Sequence, residues 1–201
     1  MKVCDINPYI RFANSNHTFL YPKHVCARDH RLFFLQEGHA HVIVDGRTYS
    51  ISPGTLMLWK AGTDYCFEAD QQLRLIVINF DYSQSCSGQV AAMSVLPADA
   101  FTSDLVLESV VFEDAELFNT PLVLDNMQRF EAPLLQIASD YITKMVYFGE
   151  YTSAILKQTL IDLLRCSLTR NVRSSKAIQS IIQYIHNHYA CEITNQTIAK
   201  E

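Results

Sequence analysis

Little in this sequence is charged, and several informative patterns are missing from it. No apolar run approaches the ~18 residues of a membrane span. The first residues, Met1-Lys2-Val3-Cys4-Asp5-Ile6-Asn7-Pro8, lack the apolar stretch of a secretory signal. A soluble, cytoplasmic protein without a membrane partner is therefore expected. Only six glycines and six prolines occur among 201 residues, against 49% hydrophobic content, which excludes a collagen-like, low-complexity or disordered chain. There is no basic excess. Sixteen Lys and Arg face twenty-one Asp and Glu, a net charge of −5, whereas a domain that grips nucleic acid alone usually carries positive charge to neutralise phosphates. Cys4, Cys26, Cys66, Cys86, Cys166 and Cys191 are scattered and form no C-x-x-C pair. Structural zinc sites need closely spaced ligands, and disulfide scaffolds are far shorter chains, so six reduced thiols are expected. No G-x-S-x-G, H-E-x-x-H or P-loop pattern occurs.

The first 82 residues carry strand signals. Arg31 to Gln36 (RLFFLQ) and His39 to Val44 (HAHVIV) are apolar runs separated by Glu37-Gly38. Asp45-Gly46 then predicts a tight hairpin, because the primed turns that join antiparallel strands need positive φ. Arg47 to Ser52 alternates, Pro53-Gly54 turns, and Thr55 to Trp59, Tyr65 to Ala69 and Leu73 to Phe80 complete the series. Short strands with turn signals every ~8–12 residues predict an antiparallel sandwich or barrel. Residues 83–125 read as mixed, with a loop at Ser83 to Gly88 and a strand at Leu105 to Phe112.

From about residue 130 the period becomes helical. Leu134, Ala138, Tyr141, Met145 and Phe148 fall on one face, widened by Leu135 and Ile142, with Gly149 as the break. A second helix is predicted from Tyr151 to Thr169, with Leu156, Leu160, Leu163, Leu164 and Leu168 on one face. A polar linker follows. Ser175 caps a third helix whose stripe is Ile178, Ile181, Ile182, Ile185 and Tyr189. Thr194 caps a fourth, with Ile193 and Ile198 as its hydrophobic staple. That helix stops at Glu201, so the sequence is expected to continue into a further domain.

Arg28 to Asp81 resembles the N-terminal effector-binding domain of AraC-type transcriptional regulators. The matching features are Gly38, Asp45-Gly46-Arg47-x-Tyr49, Ser52-Pro53-Gly54-Thr55-Leu56, Gly62 and Asn79-Phe80-Asp81. Ile178 to Tyr189, followed by Glu192 to Lys200, is similar to the first helix of that family's DNA-binding domain and the start of its first helix-turn-helix. The two segments cover roughly half the chain. The resemblance implies an α+β protein: a cupin-like antiparallel β-barrel over residues 1–125, an α-helical dimerisation hairpin over 126–173, and a truncated helical DNA-binding domain over 174–201. It further implies a homodimer that meets promoter DNA only through the missing remainder of that C-terminal domain.

Cupins can be metal enzymes, but the ligand pattern fails here. Counting back from Gly38 puts Arg31 at the carboxylate position, and the later motif puts Tyr65 at its last histidine. A cation and a phenol do not make a divalent-metal site, so no metal or cofactor is expected. His39 and His41 read as ordinary strand histidines. The barrel interior is the better candidate, since ligand pockets are mostly apolar with a few placed polar groups. Arg28, His30, Tyr49, Trp59, Tyr65 and Phe67 are the candidate ligand residues. Sugars stack on aromatic rings and bond their hydroxyls to Arg or His, so a carbohydrate effector is expected. Trp59 reads equally as barrel core, and Arg28 as a partner for a surface carboxylate. Tyr65 and Phe67 share strand parity. The leucines Leu156, Leu160, Leu163 and Leu164 either pack inside the subunit or form the dimer seam.

The sequence thus reads as the effector-sensing and dimerisation portion of a regulator, not an enzyme. The alternatives are a metal-independent cupin enzyme and a stand-alone sugar-binding module.

Overall fold

Residues 1–17, 23–89 and 95–172 are described by the structure, a computed structural model. Their strands are β1 (Tyr9–His17), β2 (Val25–Cys26), β3 (His30–Glu37), β4 (Ala40–Val44), β5 (Arg47–Ile51), β6 (Leu56–Trp59), β7 (Tyr65–Glu68), β8 (Arg74–Asp81), β9 (Leu96–Pro97) and β10 (Leu122–Leu124). Two helices follow, α1 (Glu131–Thr143) and α2 (Phe148–Val172). The strands pair antiparallel into two five-stranded sheets, ordered β1-β8-β3-β6-β10 and β5-β4-β7-β2-β9. The result is an α+β chain with the cupin-like sandwich that the sequence predicts.

Turn chemistry explains much of the register. Asp45 and Gly46 have φ of 46° and 73°, the two positive values a primed two-residue turn demands. They fix Val44 opposite Arg47 and Ala40 opposite Ile51. Gly38 (φ +95°) turns the chain between β3 and β4, and a Cβ there would stand 3.1 Å from the Gln72 carbonyl oxygen.

Strand alternation then places the core. Phe33 and Leu35 of β3 point between the sheets, with Met57 and Trp59 of β6 and Leu75 and Val77 of β8. The second sheet answers with Val42, Val44, Tyr65 and Phe67. The intervening residues Leu32, Phe34, Leu56, Leu58, Ile76, Ile78 and Phe80 are buried too. Burial on both faces is why β3 reads as an unbroken apolar run rather than an alternating one. Each large side chain so buried contributes about 1.5–3 kcal/mol. On the second sheet, Cys26 and Cys66 are also buried, and loss of water raises both thiol pKa values, that of Cys26 to about 11.

Three expectations need correction. Leu105 to Phe112 forms no ladder. Its backbone is instead tied by individual bonds: Arg28 Nε donates to Leu105 O (2.9 Å), Leu107 N–H to Arg28 O (2.9 Å), and Lys60 Nζ to Val110 O (3.1 Å). The first helix ends earlier than its apolar stripe, at Lys144, which takes the left-handed conformation with φ 48°. Met145 therefore leaves the stripe and is 68% exposed, and Gly149 falls inside the first turn of α2 instead of breaking a helix. Strand β1, which the sequence reading missed, has register shifts at Ile10/Phe12 and Asn14/His17 that interrupt its alternation.

The chain forms two compact units, Met1–Leu160 and Ile161–Glu201. The first holds both sheets and α1. The predicted third and fourth helices, and with them the helix-turn-helix onset, lie outside the described residues.

Candidate functional site

At one end of the sandwich the space between the sheets becomes aromatic. Trp59 on β6 stands 5.0 Å (ring centroids) from Phe33, 4.9 Å from Tyr65 and 6.3 Å from Phe67. Tyr65 and Phe67 point to the same side, as their parity requires. Tyr49, half-buried on β5, packs against this cluster. Four of the six sequence candidates thus converge.

Beside the aromatic cluster runs a polar row. Arg31 on β3 is paired in register with Trp59 on one side and Asn79 of β8 on the other. All three are at least nine-tenths buried, with relative exposures of 5%, 1% and 2%. Arg31 Nε, Trp59 Nε1 and Asn79 Oδ1 have no hydrogen-bond partner among the described residues. Arg31 is nonetheless charge-compensated, since its Nη2 lies 2.7 Å from Asp29 Oδ1. A second buried ion pair lies nearby. Arg11, in the bulge of β1, donates from Nε and Nη2 to Asp81 Oδ2 (2.9 and 2.5 Å). Burial pushes the Asp81 carboxyl up, against the opposing pull of Arg11. His17 is held below its ordinary value by burial and by the charge of Arg31.

The other two sequence candidates are engaged elsewhere. Arg28 is half-buried and spends Nε on Leu105 O. His30 has the parity opposite to Arg31 and packs against the Phe80 and Tyr82 rings. Its Nδ1 accepts the Ala61 N–H (3.0 Å), so Nε2 carries the proton and faces Glu108 Oε2 at 3.3 Å. Glu108 also accepts from Tyr82 N–H (2.6 Å) and Ser83 Oγ (2.5 Å). Burial alone would raise the Glu108 carboxyl, but these bonds outweigh it and hold its pKa below the ordinary value. His30 and Glu108 form a buried latch that ties the 105–112 segment to the first sheet.

Arg31 and Asn79 were not among the sequence candidates. Both left a signal: Arg31 stands where a metal-binding relative would carry an acid, and Asn79 opens the Asn79-Phe80-Asp81 motif. Among the described residues, no group of three or more His, Cys, Asp or Glu is arranged to hold a metal ion. None of the described helices is long and apolar enough to cross a membrane. A surface groove of about 700 Å³ lies between β1 and the α1–α2 turn. Three of its polar groups are occupied: Arg11 by Asp81, Tyr141 OH by Arg11 O, and Lys157 by Cys4 O.

Of the leucines, Leu156, Leu160 and Leu163 are fully buried and Leu164 is half-buried. The exposed large hydrophobics around α1 and α2 are different residues: Leu135, Ile142, Met145, Val146, Tyr147 and Tyr151.

No family model matches the chain. No curated protein matches it either. Solved structures do. Apo ToxT K231A from Vibrio cholerae is 14% identical over 97% of this chain and 68% of its own, with a TM-score of 0.46. Wild-type ToxT with unsaturated fatty acid bound is 15% identical over 77% and 50%, with a TM-score of 0.41. A cupin 2 conserved barrel protein from Leptotrichia buccalis is 23% identical over 38% and 36%, with a TM-score of 0.28. The chain spans 20% of the length of a hazelnut (Corylus avellana) vicilin that it resembles at 19% identity and a TM-score of 0.27.

Proposed function

We propose that this chain is the effector-sensing portion of an AraC-type transcription regulator. The observation that carries the reading is a juxtaposition. The sequence segment with the family's turn motifs, Arg28 to Asp81, is the segment that supplies the aromatic and polar end of the sandwich. In this reading a small organic metabolite, with a carbohydrate as the class expected from the sequence, binds between the sheets. A ligand that binds one arrangement of sandwich and helices better than another shifts their populations. In this reading promoter DNA is met only through the helix-turn-helix domain whose onset the sequence places in 174–201. Dimerisation falls to the helices. Because Leu156 and Leu160 are buried inside the first unit, the exposed set Ile142, Met145, Val146, Tyr147 and Tyr151 is assigned as the contact surface.

The test is a thermal-shift panel of carbohydrates, carboxylic acids and unsaturated fatty acids, followed by gel-shift titration of the complete gene product on its upstream DNA. A ligand at a hundred times its dissociation constant should stabilise the fold by ~2.7 kcal/mol. The same ligand should alter DNA retardation at a stated salt concentration. Retardation of no upstream DNA, with or without any stabilising ligand, overturns the regulator reading.

A further inference from the structure

The polar row has a chemistry of its own. Buried polar atoms almost always have partners, and here three without one among the described residues sit side by side across β8, β3 and β6. They lie where β3 begins and β6 ends, next to the aromatic cluster. Arg31 Nε and Trp59 Nε1 can only donate, and Asn79 Oδ1 can only accept. What completes the row takes hydrogen bonds from two donors and gives one, at a single oxygen or at adjacent atoms.

Charge narrows the class further. The two cations close to the row are already spent, Arg31 on Asp29 and Arg11 on Asp81, and the four groups sum to zero. Both pairs are buried, with side-chain exposures of 6% or less. A carboxylate entering this place would be a buried charge without a counter-ion, and would find Asp29 and Asp81 already there. A neutral group makes the same hydrogen bonds at no such cost.

We infer that Arg31, Trp59 and Asn79 form the recognition edge of the effector site, that this edge takes a neutral acceptor–donor group, a vicinal diol or a carboxamide, and that it rejects carboxylates. The inference rests on the effector reading above. It makes Arg31 and Asn79 specificity-determining, with the charge selection set by Asp29 and Asp81 behind them.

Trp59 is the only tryptophan in the chain, so its fluorescence reports on the row directly. The 201-residue protein is titrated with matched pairs: monosaccharides against their aldonic acids, and aromatic carboxamides against their carboxylates. Trp59 emission and thermal stability are followed together. A neutral member should move both, and its acid partner should bind on the order of a hundredfold more weakly. Response to sugars alone assigns the diol, and response to carboxamides alone assigns the amide. Trp59→Phe keeps a ring and removes the N–H, so affinity read by thermal shift should fall about tenfold. Asn79→Ala, read by Trp59 emission, should weaken the same ligand and serves if Trp59→Phe fails to fold. An acid that binds as tightly as its neutral partner overturns the inference while the effector reading stands. If no member of any pair binds, and a crystal structure shows only water on the three groups, both fall.

Discussion

Glu108 accepts from Tyr82 N–H and Ser83 Oγ and faces His30 Nε2 at 3.3 Å, at 7% exposure. Replacing it with Gln removes the charge and misplaces a donor among donors, which should cost about 1–3 kcal/mol near neutral pH. The pH dependence follows from the lowered native pKa. The unfolded chain binds the Glu108 proton more readily than the folded one, so this carboxylate's contribution is complete above the ordinary glutamate pKa. It is lost as pH falls through the native value. Urea unfolding of wild type and Glu108→Gln between pH 3 and pH 7 should show the gap between them closing toward acid. A gap that stays constant would place the stabilisation elsewhere. None of this was legible in the sequence. Glu108 lies in a stretch with no periodicity, and its partners come from two distant parts of the chain, His30 and Tyr82-Ser83.

At the scale of elements, the turns carried the clearest sequence signal. Asp45-Gly46 states its own conformation, because few other residue pairs tolerate two positive φ values. Strand β1 stated nothing comparable: its bulges break the period of two, and Arg11 and the asparagines hide a buried face. The end of α1 was misread for a related reason. An apolar stripe says where a helix has a face, and the left-handed Lys144 that stops it has no sequence signature. Two glycines separate strain from crowding. An alanine at Gly46 meets no atom within 4 Å and suffers only its positive φ. An alanine at Gly38 suffers the same and also presses on Leu73 and the Gln72 carbonyl. Gly46→Ala should therefore cost about 1 kcal/mol, and Gly38→Ala about 2 kcal/mol or more. Chemical denaturation of both variants checks the order, and a Gly46→Ala loss larger than that of Gly38→Ala would reverse it.

For the molecule as a whole, Leu156 and Leu160 of α2 belong to the interior of the first unit. Leu160 is fully buried within the first unit, so Leu160→Glu should destabilise the fold by about 3 kcal/mol or more. Tyr151, 53% exposed, is a different case. Tyr151→Glu should leave unfolding within ~0.5 kcal/mol of wild type and weaken self-association seen by light scattering. A Leu160→Glu protein as stable as wild type would show that the leucine face is open after all. The helical period revealed that these leucines share a face. It held no information about whether the face meets the same chain or another. The candidate site divided in the same way: Trp59, Tyr65 and Phe67 were legible as aromatics on strands of known parity. Arg31 and Asn79 emerge only when register sets three strands side by side.

The buried sulfurs of the second sheet give the molecule a chemical asymmetry. Alkylating reagents and oxidants consume thiolate, and burial keeps Cys26 and Cys66 in the thiol form at neutral pH, behind a closed surface. Cys4 stands in water and meets reagent at once. Cys26 on β2 and Cys66 on the neighbouring β7 have the parity opposite to Val25, Tyr65 and Phe67, so they share the outer face of the second sheet and react only when the cover of that face lifts. Their modification would then time the uncovering of this one face while the exposed Cys4 registers the dose.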